Sequence, residues 1–598
     1  MSAFHGLPAA ILFAGGMVAC APPAAVPAAG QAPNPVAAVE PADADAAVRE
    51  YLERTVPFGV SGAFLIARND QVIVNDGFGL ADREQRVSVT AETVFDIGSI
   101  TKQFTAAAIL KLEEQGRLRV EDSIGRFFTG VPADKQGITL HHLLTHTAGL
   151  IGDLGGDYQV MPRDSLVQLA LRSELQWAPG TRWDYSNLGY SLLGAIVELA
   201  SGQPYERYLH EQLFRPVEME KTGYRIPQWS AAELAVGYRG SERWGTPLDH
   251  AWAEDGPWWN LRANGGILST MGDLYRWHRA LRSDVVLSAA SRQKLFTPHA
   301  AENPEGSSHY GYGWAVFTTP RNTRLIAHNG GNGYFFADFR RYVDEEVVVI
   351  LATNDASQGM EMVQNRVSRA LFSGHAPVLP PAATVQLTPA ELERYAGSYV
   401  LPSGSRIVVS HAGGQLAAAA VGQEAVEILA NSDTAAQQAL RDLDARATAV
   451  LESARGQDFS ALRAASVSPD RSEATLQRIW RTAEQNMGPF RTVEVLGTVA
   501  SWWGGEPEPV TFVRVNFERG TRLFRLHWEN GKISGYGGFA IPSPAPTTLL
   551  PQGEDRFIGY NLGIEHPIRM RFESERDAPP SSLVIQTSTG ELSARRDR

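Results

Sequence analysis

Ser99 and Lys102 stand three residues apart in FDIGSITKQFTAAAILKLEEQGRL, residues 95–118. Phe104, Ala108 and Leu112 recur there at i, i+4 and i+8, the stripe of a helix that packs against a core. Gly116 suits its stop. Ser99 then lies at the helix N-terminus, where free backbone N–H groups and the positive end of the dipole favour a developing oxyanion. Lys102 falls on the same face, one turn further in. A neutral amine there can take the proton of the Ser99 hydroxyl, and a charged one stabilises a neighbouring anion. A serine hydroxyl is a weak nucleophile without such help. The spacing alone is common. Ser291-x-x-Lys294 repeats it in an ordinary helical stretch, and a capping serine with a solvated lysine explains such a pair equally well.

Two further segments carry matching chemistry. PGTRWDYSNLGYSLLGAIVELASG (179–202) holds Tyr185-Ser186-Asn187 just ahead of an apolar helix. In extended chain, residues two apart point the same way, so a phenol and a carboxamide project together. A tyrosinate stabilised by the Lys102 cation can serve as a general base; a buried tyrosine beside a helix-capping asparagine is the plain alternative. In IAHNGGNGYFF (326–336), His328 is at the end of a strand, and Gly330 and Gly331 let the backbone come close to a ligand. A glycine turn after a strand fits the same residues. The histidines of HHLLTH (141–146) invite a metal check. His142 and His146 are spaced as in H-E-x-x-H, but Leu143 stands where the glutamate would be. They read as structural, and no metal is expected. No G-x-S-x-G nucleophile elbow occurs in the chain.

In the order Ser-x-x-Lys, Tyr-x-Asn, His-x-Gly, the motifs resemble those of the serine β-lactamase and penicillin-binding-protein superfamily. The resemblance is closest to the branch related to class C β-lactamases. ITLHHLLTHTAGL, PGTRWDYSNLGYSLLG and NGGILSTMGDLYRW agree with it, over about residues 50–370. It implies that Ser99 is the acylated nucleophile, that Lys102 and Tyr185 share the proton transfers, and that Asn187 holds the substrate's amide or carbonyl. It places the oxyanion hole at the backbone N–H groups of Ser99 and of Gly331, which follows Gly330. No cofactor is implied. His328 is a departure, because family β-lactamases carry lysine there; relatives with histidine include esterases, D-amino-acid peptidases and amidases. The expected activity is therefore acyl transfer through an acyl-enzyme, on a small ester or a peptide or amide containing a D-amino acid, with weak or no β-lactam turnover. A non-catalytic binding or scaffold protein on the same fold is a rival, and a true β-lactamase or DD-carboxypeptidase another. Substrate choice is expected in loops 151–163 and 241–260, where Trp252, Trp258 and Trp259 either line an apolar pocket or pack a long loop.

These side chains need a mixed α/β frame to hold them. GAFLIARNDQVIVNDGFG (62–79) reads as two strands around the turn Asn69-Asp70. Segments 323–331, 333–343 and 345–354 read as later strands, and helices are expected at 46–56 and 360–372. Strands at both ends with helices between give one mixed α/β domain over 46–373, its first hairpin joining the last strands in an antiparallel sheet flanked by helices, the β-lactamase-like domain that the resemblance implies. A Pro-rich linker follows at 374–388. Residues 389–430 and 547–598 read as a small β-rich, lipocalin-like domain. Between them, 431–546 reads as an inserted module of helices (433–456 and 471–487) and antiparallel sheet, similar to a nuclear-transport-factor-like cone. Its sheet has Val513, Val515 and Phe517 on one face and a turn at Asn530-Gly531.

The chain of 598 residues carries 43% hydrophobic and 20% charged residues, the balance of a globular protein. A net charge of −12 gives no electrostatic grip on nucleic acid. The single cysteine, Cys20, excludes an intrachain disulfide and a cysteine-rich zinc site. It follows a short apolar run, LPAAILFAGGMVA, and precedes an Ala/Pro-rich tether to residue 45. Residues 1–20 read as an export signal. Cys20 is then a lipid attachment point, the one expected link to a membrane; an ordinary cleaved leader, or a wrongly chosen start codon with an incidental cysteine, is the plain alternative. The expected partner is a small-molecule or short-peptide substrate in the periplasm or cell envelope.

Overall fold

The computed structural model describes residues 41–597 apart from short stretches, the longest being 468–476 and 540–546. The leader, Cys20 and nearly all of the tether lie outside the described residues. The chain divides into two compact units. Residues 60–358 belong to the first; residues 37–59 join 359–598 in the second.

Four helices matter to the argument: α1 (Pro41–Thr55), α2 (Thr101–Glu114), α3 (Asn187–Ser201) and α4 (Met360–Ser373). The first unit is built on an antiparallel sheet of eight strands: β1 (Gly62–Arg68), β2 (Gln71–Phe78), β3 (Ala300–Ala301), β4 (Ser308–Tyr310), β5 (Ala315–Thr318), β6 (Arg324–Gly331), β7 (Phe336–Tyr342) and β8 (Val347–Thr353). Their order is β3-β4-β5-β6-β7-β8-β1-β2. The amino-terminal hairpin thus completes a sheet whose other strands come some 230 residues later, as the sequence implied. Its turn is local chemistry: Asn69 and Asp70 both take positive φ (50° and 62°), which two-residue hairpins require. β8 is buried along its whole length, with Leu65 of β1 opposite Ile350. α2 and α3 pack together beside this sheet, and Phe104, Ala108 and Leu112 are fully buried as their spacing predicted. α2 ends at Glu114, and Gly116 adopts the left-handed φ of +71°.

The two helices flanking this unit in sequence form where expected but belong to the second unit. There α1 packs on α4, burying Val48, Tyr51 and Leu52 of one and Val363 and Val367 of the other. Arg366 of α4 donates to the Tyr560 hydroxyl and the Ile564 carbonyl, each at 2.7 Å, and Phe58 meets Tyr560 edge-on at 4.8 Å. The remainder of the second unit contains a closed eight-stranded barrel from 397–421 and 547–596. Between those segments run the helix Thr434–Arg455 and a four-stranded meander, Phe490–Phe539. Val513, Val515 and Phe517 share a core there with Trp480, Phe524 and Trp528. Asn530 and Gly531 form the turn with φ of 48° and 69°. Much of the helix expected over 471–487 lies outside the described residues.

Candidate active site

Ser99 lies in a single 3-10 turn, Gly98–Ile100, that leads directly into α2. The turn is held from below: Asp96 accepts the Gly98 N–H at 2.8 Å and the Asn332 amide at 3.0 Å. The end of β6 lies against it, backbone to backbone. A Cβ added to Gly330 would fall 2.2 Å from the Ile97 carbonyl oxygen and 2.3 Å from the Ser99 nitrogen. One added to Gly98, whose φ is +49°, would fall 2.3 Å from the Gly331 nitrogen. Only glycine permits this approach, which brings the backbones of Ser99 and Gly331 side by side.

Lys102 is fully buried. Its Nζ lies 3.1 Å from Ser99 Oγ, 2.7 Å from Asn187 Oδ1 and 2.7 Å from the carbonyl oxygen of Asn264. An ammonium has three N–H groups and finds an acceptor for each. A neutral amine has two, which the two amide oxygens accept, and its lone pair then faces the serine hydroxyl. Burial pushes Lys102 down to about 7, against the opposing pull of Asp153 and Asp157. Both forms are therefore accessible near neutrality.

Tyr185 hydrogen-bonds Ser99, and its ring centroid is 4.8 Å from Lys102 Nζ. The phenol and the Asn187 carboxamide do converge on Lys102, as their spacing predicted. Burial, with Asp153 and Glu302, pushes the phenol well above its ordinary range despite the Ser99 hydrogen bond. The tyrosinate read from the sequence is thus corrected to a protonated phenol: desolvation of the anion outweighs the hydrogen bond. Asn187 does not cap its helix. Ser186 does, accepting the Gly189 N–H at 3.1 Å. The Asn187 amide is left to bridge Lys102 and Asp153, donating to Asp153 Oδ1 at 2.9 Å.

His328 lies inside β6 with Gly330 and Gly331 at its end, and is nearly buried. Its Nδ1 is 2.6 Å from the Asn329 carbonyl, which can only accept, so Nδ1 carries the hydrogen. Nε2, 2.9 Å from the Tyr310 hydroxyl, is then the acceptor. Burial and the charge on Lys102 push the imidazole down to about 3. It is a neutral strut and brings no positive charge to the site.

Of the three histidines, His142 closes a capping box with Thr139. His146 lines the site: its Nδ1 accepts the Ser186 N–H at 3.1 Å, and its ring packs 4.3 Å from Tyr185 and 4.5 Å from Tyr310. In the repeat of the first motif, Ser291 is buried and Lys294 is bound to Glu113 at 2.8 Å. Trp259 belongs to the core, and Trp252 packs edge-on to Tyr224 at 5.8 Å, so the packing alternative holds for both. Trp258 is partly exposed, and its carbonyl accepts the Leu261 and Arg262 N–H groups. Sequence reasoning missed Asn264, Asp153, His146 and Tyr310 as parts of the site. Asn264 opens the framework segment NGGILSTMGDLYRW, but nothing there shows that its carbonyl is what Lys102 needs.

A profile of the beta-lactamase family matches residues 44–373. Penicillin-binding protein 4* of Bacillus subtilis is 28% identical over 398 residues, covering 62% of this chain and 87% of that protein. PbpX of the same organism is 33% identical over 280 residues, 46% of this chain and 67% of its own length. Among solved structures, the octameric penicillin-binding protein homologue from Pyrococcus abyssi aligns with 91% of this chain and 98% of its own at 20% identity, with a TM-score of 0.49. With the family profile spanning more than half of its length, the chain belongs to the beta-lactamase family.

Proposed function

We propose that this protein is a serine hydrolase acting by acyl transfer on a small ester or on a peptide or amide containing a D-amino acid. The observation that carries the reading is Lys102: a buried amine, pushed down to about 7, at 3.1 Å from a serine hydroxyl and with two of its bonding positions taken by amide oxygens. In this reading neutral Lys102 takes the proton as Ser99 Oγ attacks the substrate carbonyl. The backbone N–H groups of Ser99 and Gly331 receive the oxyanion. Asn187 holds the substrate's amide or carbonyl. The Tyr185 phenol gives its proton to the leaving group as it takes up the one Lys102 has received, and water then releases the acyl group from Ser99 by the reverse path. Relatives named penicillin-binding proteins support an acyl-enzyme, while the neutral His328 argues against a site tuned to the carboxylate of a β-lactam. The leader-like sequence supports action outside the cytoplasm, with Cys20 a candidate lipid anchor.

The test is intact mass after treatment with a fluorophosphonate probe. One adduct is expected on the wild type and none on Ser99→Ala. A folded wild type that takes no adduct would move the reading to a non-catalytic binding protein on the same fold.

A further inference from the structure

Two features of His146 are unfavourable on their own. It follows the short helix Leu140–Leu144 with a φ of +58°, a left-handed conformation that strains a residue with a Cβ. It is also buried, and its Nε2 finds no partner among the described residues. Nδ1 accepts the Ser186 N–H, so in the neutral ring Nε2 holds the hydrogen. A buried donor without an acceptor is costly. Burial, with the charge on Lys102, keeps the ring neutral. Strain and an unpaired donor in one residue beside a nucleophile point from the outlier to a role in the site.

The geometry shows what the residue holds. Its main-chain carbonyl accepts the Asp184 N–H at 2.9 Å, and its ring nitrogen accepts the Ser186 N–H at 3.1 Å. These are the residues on either side of Tyr185. The ring itself lies over the phenol, with 4.3 Å between centroids and 34° between planes. Trp183, Tyr310 and His328 stand further off, their centroids 6.5, 6.4 and 6.4 Å from that of Tyr185. Ser186 has other ties: it accepts the Gly189 N–H at 3.1 Å and donates to the Ile151 carbonyl at 2.7 Å. One residue, forty positions away in sequence, thus grips the backbone before and after Tyr185 and covers its ring.

We infer that His146 is a positioning residue for Tyr185, holding the phenol where its proton reaches the leaving group of the substrate. The inference rests on the hydrolase reading above and deepens it. When an ester acylates the enzyme, Ser99 Oγ bonds to the carbonyl carbon and the bond from that carbon to the leaving oxygen breaks. The leaving oxygen takes the phenol proton, and the phenol takes up the one that Lys102 received from Ser99. A displaced phenol slows this step most for leaving groups that need the proton most. A p-nitrophenolate departs as a stable anion. An unsubstituted phenolate is as basic as an ordinary tyrosinate, with a pKa of about 10, and departs far better as the neutral phenol.

The test compares kcat/KM for p-nitrophenyl acetate with that for phenyl acetate, on full-length protein above pH 7. In His146→Asn, whose side chain tolerates the positive φ but brings no ring, the ratio of nitrophenyl to phenyl ester is expected to rise at least about tenfold. Tyr185→Phe is expected to raise it at least as far. Adding His146→Asn to Tyr185→Phe is expected to move it by less than about twofold, because the histidine acts through the phenol. His146→Gln, which keeps an acceptor for the Ser186 N–H, is the second variant, with the same rise in smaller measure. A ratio unchanged in both His146 variants overturns the inference. So does a rise of the same size with and without the phenol, which would make His146 a general support of the fold, or the loss of a cooperative melt in both variants. The hydrolase reading is judged on the wild type alone. A wild type that takes fluorophosphonate while the ratio stays fixed in the variants defeats only the role of His146; one that neither labels nor turns over either ester defeats both.

Discussion

Lys102 carries a pH dependence whose sign follows from its burial. Desolvation penalises the ammonium, so the folded chain gives up this proton near 7, whereas an exposed lysine keeps it to about 10.5. The amine able to accept the Ser99 proton is therefore present above about 7 and absent below it. On a neutral ester, kcat/KM is expected to fall with unit slope as pH drops through about 7. His328→Gln is expected to leave that midpoint in place, because burial holds the imidazole neutral across the range. Lys102→Arg keeps a charge at all accessible pH and is expected to lower kcat/KM by about a thousandfold. A midpoint that moved with His328 would assign the titration to the wrong group. Between about 7 and 10.5 the unfolded chain binds one proton that the folded chain does not, so this lysine's contribution to stability rises with pH in that window. An amine suited to catalysis is thus a stability cost at neutral pH.

At the scale of elements, the site exists because the end of β6 and the Ser99 turn meet with no side chain between them. Gly330→Ala would drive a Cβ to 2.2 Å from one backbone oxygen and 2.3 Å from the Ser99 nitrogen, and neither atom belongs to a side chain that can swing away. Fluorophosphonate labelling is expected to slow by about a hundredfold or more, with a stability loss of about 1–3 kcal/mol in thermal melts. Gly137→Ala meets open space and is the control that should change neither. Such close approach explains what the sequence could and could not convey. The Asn69-Asp70 and Asn530-Gly531 turns, the apolar stripe of α2 and the convergence of Tyr185 with Asn187 are set by neighbours in sequence, and all were legible. Asn264 acts through a backbone carbonyl that any residue would present. His146 is defined by the Ser186 N–H, forty residues on, and Tyr310 by His328, eighteen residues on. No local pattern encodes those meetings. The tyrosinate failed for the same reason: a phenol's ionisation depends on burial, which the Tyr-x-Asn spacing does not report.

At the scale of the whole molecule, the family profile ends at residue 373, where composition changes, while the packing divides the chain at 358. The Pro-rich stretch after 373 reads as a linker between domains, yet α4, just before it, shares its core with α1 and with the strands near Tyr560. The serine, lysine, tyrosine, asparagine and histidine of the candidate site all fall within 60–358, the first unit. A chain cut at 375 would keep both helices while removing Tyr560 and Ile564, the partners of Arg366. Val48, Tyr51, Leu52, Val363 and Val367 are all fully buried in the intact protein, and each side chain returned to water costs about 1.5–3 kcal/mol. The truncated chain is therefore expected to aggregate or to elute as a mixture on size exclusion, so a loss of activity in it would say nothing about substrate access. Arg366→Ala is the sharper probe. It removes two hydrogen bonds from a charged donor, so about 2–4 kcal/mol of stability should go. Ser99 labelling in the folded fraction is expected to hold at its wild-type rate, because among the described residues the groups that Lys102, Tyr185 and Asn187 bond to all lie in the first unit. Melting curves read beside the labelling rate decide it: a labelling rate that fell together with the melting temperature would show that the second unit sets the geometry of the site.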